Sequence, residues 1–280
     1  MNLEKLRRVY LNSGYTLANA SAKICQDIIL NKISKSKMNK NITIKGGVVM
    51  YGLSNDKRRA TRDLDLDFIK YSLADESIKL FIDKLNLVND GINILIDGEI
   101  EELHHQDYNG KRVNVILKDE NNFTLSSKLD IGVHVNFDIK QEEYCFNLEA
   151  LEKSASLIIN SKEQIICEKL KSLLRFGIRT TRYKDIFDIY YLINNTNVNK
   201  DELLTIINSL IINDKTMNEN NLNDIIKNLT LTINNNIFKH NLSDARNNWL
   251  GVHVNEVINS VVIYFESLET VVVWFFWSIY

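Results

Sequence analysis

The chain contains no proline in 280 residues. Beside its richness in Ile, Asn and Lys, that absence points to an AT-rich coding genome of bacterial kind and carries no mechanism. Cysteine is scarce as well. Cys25, Cys145 and Cys167 lie far apart, form no CxxC pair and are odd in number. This excludes a zinc ribbon or a disulfide framework and fits a reducing compartment. Net charge is nearly absent, at −2 from 34 basic and 36 acidic residues. No global field therefore draws nucleic acid, and any anionic partner must be held by a local cluster. No run reaches the roughly 18 uncharged apolar residues that a membrane span needs. MNLEKLRRVYLNSGY at the start lacks the apolar core of a signal peptide, so a cytoplasmic protein with no membrane partner is expected. GxSxG, GxxxxGK[ST] and HExxH are all missing, which removes the usual hydrolase, P-loop and zincin readings.

What is present reads as a globular chain long enough for one large domain or two moderate ones, since 45% of residues are apolar and 25% charged. Residues 16–34 predict an amphipathic helix. Asn41–Lys45 is β-branched and predicts a strand ending at Gly46-Gly47, after which Val48–Gly52 starts a helix. A basic loop leads to Asp63–Ile69, whose strict alternation is that of a strand with two unlike faces. A helix is expected over 75–86 and strands over 92–96, 112–117 and 128–135, with turn chemistry at Tyr108–Lys111. Strands mixed with helices up to about residue 145 indicate an α/β or α+β domain. After about residue 150 the pattern turns helical. Ile166, Leu170, Leu173 and Leu174 form one stripe, and Tyr183, Ile186, Phe187, Tyr190 and Tyr191 form another. The Asn-rich stretch 194–245 keeps recurrent apolar positions and reads as helices with polar faces. The apolar tail Val271–Trp277 reads as a final element on the core, a partner-facing patch or an atypical terminus.

Asp63, Asp65 and Asp67 alternate along one strand and so share a face. Three like charges there repel one another and are costly to desolvate. A divalent cation such as Mg²⁺ resolves the conflict, because carboxylate oxygens are its natural ligands; a solvated edge face is the bland alternative. Upstream, the Gly46-Gly47 turn into a helix lets the backbone approach an anion closely. Downstream, Asp130 lies inside an apolar strand, where an acid needs a partner. Together these groups make a phosphate site with carboxylates for two Mg²⁺ ions, and Asp130 is the candidate to assist deprotonation of an acceptor hydroxyl. The basic residues between 162 and 188 include candidates for nucleotide contact. Most of them also read as a solvated helix face, with Lys184 and Asp188 spaced to pair on a helix surface. His104, His105 and His134 lack zinc-like spacing.

Lys45-Gly46-Gly47, Arg59 to Asp65, Leu129-Asp130-Ile131-Gly132, Glu163-x₄-Glu168-Lys169-Leu170 and Arg182 to Asp188 occur in the order of the motifs of AbiEii/AbiGii-type nucleotidyltransferases. The chain resembles that family over about residues 15–195. The resemblance implies an α+β, polymerase-β-like nucleotidyltransferase core with a mixed sheet at 1–148, and a helical half at 149–280 that completes the cleft. It implies Gly46, Gly47, Lys169, Arg182 and Lys184 on the nucleotide. Asp63, Asp65 and Asp130 are implied on the metal, Mg²⁺, with Lys169 and Asp185 joining these carboxylates as catalytic groups. It further implies a toxin that transfers nucleotides from NTP to the 3′ end of tRNA and is regulated by a cognate antitoxin. Transfer to a protein or small-molecule hydroxyl, or a catalytically silent nucleotide-binding module, are the alternatives. Two departures stand out: Val133-His134 where the family continues toward an acid, and the aromatic tail.

Overall fold

A computed structural model describes residues 1–103, 110–136 and 138–277, with side chains described as far as residue 269. Two compact units divide the chain, Met1–Asn160 and Ser161–Tyr280. Its class is α+β, as expected, with a mixed sheet confined to the first unit.

The first unit runs α1 (Leu3–Asn12), α2 (Leu17–Lys35), β1 (Ile42–Lys45), α3 (Gly46–Ser54), β2 (Asp63–Phe68), α4 (Asp75–Asn86), β3 (Ile92–Ile96), β4 (Glu101–Leu103), β5 (Gly110–Asp119), β6 (Thr124–Val133), β7 (Gln141–Leu148) and β8 (Lys153–Asn160). Its strands form one sheet of order β3-β5-β6-β2-β1-β8-β7, with β4 paired to β5. β2 lies at the centre, antiparallel to β1 and parallel to β6. The alternation read from the sequence is what buries Leu64, Leu66 and Phe68 completely, alongside Ile42, Ile44, Leu129 and Ile131 of the flanking strands. Burying each such side chain stabilises the unit by about 1.5–3 kcal/mol.

Helix α2 is buried along most of its length and therefore has to satisfy its polar groups inside the protein. Asp27 accepts from Lys23 and from the Ala150 amide. Lys32, fully buried, donates to the Val88 carbonyl and pairs with Asp90. Gln26 donates through Nε2 to the Thr61 carbonyl at 3.0 Å, fixing the chain as it enters β2.

The last strand of the sheet lies where the sequence predicts helix. Residues 149–160 were expected to open the helical half, but Lys153–Asn160 is a strand, paired antiparallel with β7 and parallel with β1. Ala155, Leu157 and Ile159 alternate into the core, a period of two that the apolar Ile158 between two of them and the polar Lys153-Ser154 start blur.

In the second unit are α5 (Lys162–Phe176), α6 (Lys184–Asn195), α7 (Lys200–Ile207), α8 (Leu222–Ile233), α9 (Asn236–Leu242) and α10 (Val254–Trp277). Ser161 caps α5 by accepting from the Gln164 amide. Gly177 ends that helix at φ +50°, a conformation that favours glycine. The Asn-rich stretch acquires a physical explanation here. Asn199, Asn221 and Asn235 are the N-caps of α7, α8 and α9, each accepting amide hydrogens of the following turn. The apolar tail continues α10 as helix to Trp277, and its side chains lie outside the described residues. No helix among the described residues is long and apolar enough to cross a membrane.

Candidate active site

Strand register brings the sequence-predicted carboxylates together. Asp65 on β2 is the partner of Asp130 on β6, and Asp63 is the partner of Lys128. Partners in register project to the same face of a sheet. Continued across the sheet, the row holding Asp65 reads Glu101 (β4), Arg112 (β5), Asp130 (β6), Asp65 (β2) and Lys45 (β1). Five charged side chains thus cross one face of the sheet, backed on the other face by the fully buried Leu64, Leu66, Leu129 and Ile131.

Within this row the two adjacent acids are flanked by cations. Arg112 forks onto Asp130, with Nε 2.8 Å from Oδ1 and Nη2 2.7 Å from Oδ2. The bond to Asp130, with Asp63 and Glu101 nearby, raises the Arg112 guanidinium above its ordinary value. Lys45 turns to Asp67, whose Oδ1 lies 2.6 Å from its Nζ. Asp67 is nearly inaccessible, whereas Asp63 and Asp65 are half-exposed. His134 is buried beside this pair, where burial lowers its imidazole below the ordinary value against the opposing influence of Asp67. Its backbone amide donates to the Phe68 carbonyl, extending the β2–β6 pairing one residue beyond β6.

The two glycines are explained by what touches them. Gly46 opens α3 at φ +68°, and a Cβ there would lie 2.1 Å from Asp65 Oδ2. A Cβ on Gly47 would lie 2.7 Å from the Thr61 Cβ. Gly46-Gly47 and Thr61-x-Asp63-x-Asp65 are therefore two halves of one contact: the bare backbone of one lies against the side chains of the other. The amino end of α3 receives no side-chain cap from Lys45. Its first N–H groups and the positive end of its dipole make it a place where an anion is favoured.

Among the described residues, no three His, Cys, Asp or Glu side chains form a ready-made metal cage. The donors are hard oxygens of the type that Mg²⁺ takes, and two of them are register partners; Asp130 faces Arg112 instead of a common centre. The residues thus suit a divalent cation in the chemistry of their donors, while Asp130 is committed to a guanidinium.

In the second unit, Lys169 of α5 lies 2.6 Å from Asp185 Oδ1 and 2.8 Å from Asp188 Oδ2 of α6. The other oxygen of Asp188 accepts from Trp249 Nε1 at 3.1 Å. Asp188 is wholly inaccessible, which corrects its reading as half of a surface pair with Lys184. Arg182 is exposed and Lys184 half-exposed at the amino end of α6, and the Arg182 amide donates to Thr180 Oγ1. His104 and His105 lie outside the described residues, as do Tyr108 and Asn109 of the expected turn.

A family model described as nucleotidyl transferase AbiEii toxin, type IV toxin–antitoxin system, matches residues 28–250, which span every group from Gly46 to Trp249 named above. The chain belongs to the AbiEii family. It is therefore a nucleotidyltransferase of the toxin–antitoxin kind. No curated protein matches it. Among solved structures, an antigenic nucleotidyltransferase-like protein from Paracoccidioides brasiliensis is similar at 17% identity, over 75% of this chain and 85% of that one, with a TM-score of 0.43, a likeness too loose to argue from.

For this AbiEii chain, Arg112 and Gln26 are the participants that sequence reasoning passed over. Arg112 opens an apolar strand and looks like an ordinary basic residue at a turn; only the β5–β6 register sets it opposite Asp130. Gln26 is an unremarked polar residue of a helix until the fold places the Thr61 carbonyl against it.

Proposed function

We propose that this AbiEii enzyme transfers a nucleotide from NTP to the 3′ hydroxyl of an RNA, tRNA first among them, with Mg²⁺ held by Asp63, Asp65 and Asp130, and that a cognate antitoxin restrains it in the cytoplasm. The observation that carries this reading is the row of register partners Asp65 and Asp130 beside a helix amino end kept bare by Gly46. When bound, the cation supplies charge neutralisation for the triphosphate and activation of the attacking hydroxyl. The chain's own groups do the remaining work. The Gly46-Gly47 backbone approaches the phosphates, since any side chain at Gly46 would strike Asp65. Gln26 holds the Thr61 carbonyl, so that Asp63 and Asp65 enter the strand in a fixed register. Asp130, once released from Arg112, is the group to accept the proton of the acceptor hydroxyl. Arg182 and Lys184 are assigned to phosphate binding. Lys169 and Asp185 keep their catalytic assignment through their ion pair, in which the lysine trades a carboxylate for a phosphate oxygen.

The test incubates purified protein with tRNA, Mg²⁺ and each labelled NTP in turn. Label is expected at the tRNA 3′ end with at least one NTP, and Asp65→Asn should abolish both labelling and growth arrest. Absence of label in tRNA with every NTP would sink the acceptor assignment. Growth arrest by Asp65→Asn would separate the toxicity from the transfer. Transfer to RNA should also weaken steeply with added salt, as transfer to a small acceptor would not.

A further inference from the structure

Both oxygens of Asp130 are engaged by one guanidinium, and Asp130 keeps only 7% of its surface. That engagement explains why acids placed in register do not already form a metal cage. Asp65 and Asp130 are adjacent like charges over an apolar layer, and a cation beside them offsets their repulsion with both left ionised. In the charged row, Arg112 stands between Glu101 and Asp130 and supplies that cation from within the fold.

We propose that Arg112 is a built-in counter-ion that holds Asp130 until a divalent cation takes its place, so that metal binding is an exchange of one cation for another. Arg112 is on this view a positioning residue acting through Asp130. Three consequences follow. In the metal-free site Asp130 is neutralised and the unit stays folded. Metal affinity is set below what the bare carboxylates would give. The planar fork matters as well as the charge, because a lysine can engage only one oxygen at a time. This inference rests on the reading of Asp63, Asp65 and Asp130 as the metal site.

The experiment titrates Mn²⁺ into purified full-length protein without nucleotide, reading free Mn²⁺ by electron paramagnetic resonance, for wild type, Asp65→Asn, Arg112→Gln and Arg112→Lys. Thermal melts are recorded with and without Mn²⁺. Arg112→Gln should bind Mn²⁺ about 10-fold more tightly than wild type, the scale of losing one charge-assisted competitor, and Arg112→Lys should fall between them. Without metal, Arg112→Gln should melt below wild type, and saturating Mn²⁺ should close the gap. If both Arg112 variants bind Mn²⁺ no more tightly than wild type while Asp65→Asn loses it, the counter-ion role is overturned and the metal site stands. If Asp65→Asn binds as wild type does, the metal reading itself fails and this inference fails with it. Should Arg112→Gln not fold, Arg112→Lys alone decides by the same comparison.

Discussion

Gly46→Ala should damage this enzyme through a single collision. The new methyl group would stand 2.1 Å from Asp65 Oδ2 and 2.7 Å from its Cγ, both far inside contact distance. Its φ of +68° adds the left-handed penalty of about 1–2 kcal/mol that any L side chain incurs. Overpacking against Asp65 contributes a further ~1–3 kcal/mol. For a unit of this size the sum lowers the melting temperature by roughly 5–15 °C. Relief of the clash moves the Asp65 carboxylate by roughly 1 Å, and displacements of that order cost about 10²-fold in turnover. Gly14→Ala is the internal control, because Gly14 also has a positive φ, +92°, yet a Cβ there meets nothing within 4 Å. It isolates the backbone penalty from the collision. Differential scanning fluorimetry and labelled-NTP transfer measure the two effects. In the double variant Gly46→Ala/Asp65→Ala, the oxygen and carbon nearest the methyl group are gone, so the collision part of the stability should return while activity does not. If Gly46→Ala turns over at the wild-type rate and melts no lower than Gly14→Ala, the close approach of Gly46 to Asp65 is wrong.

Lys169→Met leaves Asp185 and Asp188 buried without their cation and should cost about 3–5 kcal/mol in urea unfolding. Asp188→Asn should cost less, since an amide oxygen can still accept from Trp249, and the reverse order would refute the pairing. His134 is held below its ordinary value by burial, so the unfolded chain takes up the proton first as the pH falls. Stability from this group is complete above about 6.5 and declines toward lower pH, at up to ~1.4 kcal/mol per pH unit. His134→Gln should therefore flatten the stability profile below that pH, and an unchanged slope would exclude His134 as its source. Thiol labelling should be selective too. Cys25 and Cys167 are fully inaccessible, and burial pushes the Cys25 thiol up to about 12 and that of Cys167 further still. Ellman's reagent should modify exposed Cys145 alone in the native protein, and rapid reaction of two or more thiols would contradict this burial.

The central strand was readable in advance because period-two alternation reports which face is buried, and Asp63 to Phe68 obeys it without exception on the apolar side. The order of motifs, from the glycine pair to the Arg182–Asp188 helix, was likewise enough to indicate the family. The β7–β8 hairpin was partly hidden, since Lys153 to Asn160 begins with polar residues that weaken the alternation. The burial of Asp188 is not legible in the sequence, because helical spacing to Lys184 is a local fact, whereas its partners are Lys169 on another helix and Trp249 some sixty residues on.

Sequence by itself determined which residues could carry the chemistry: alternating aspartates, a glycine pair ahead of a helix, and an acid within an apolar strand. Only the tertiary structure decided who neutralises whom. That Asp130 belongs to Arg112, Asp67 to Lys45, and the Asp65 carboxylate to the space a glycine leaves open follows from strand order and register. Local periodicity fixes the face on which a side chain lies, but charges interact with whatever stands across the sheet, and that neighbour is chosen by contacts far apart in the chain.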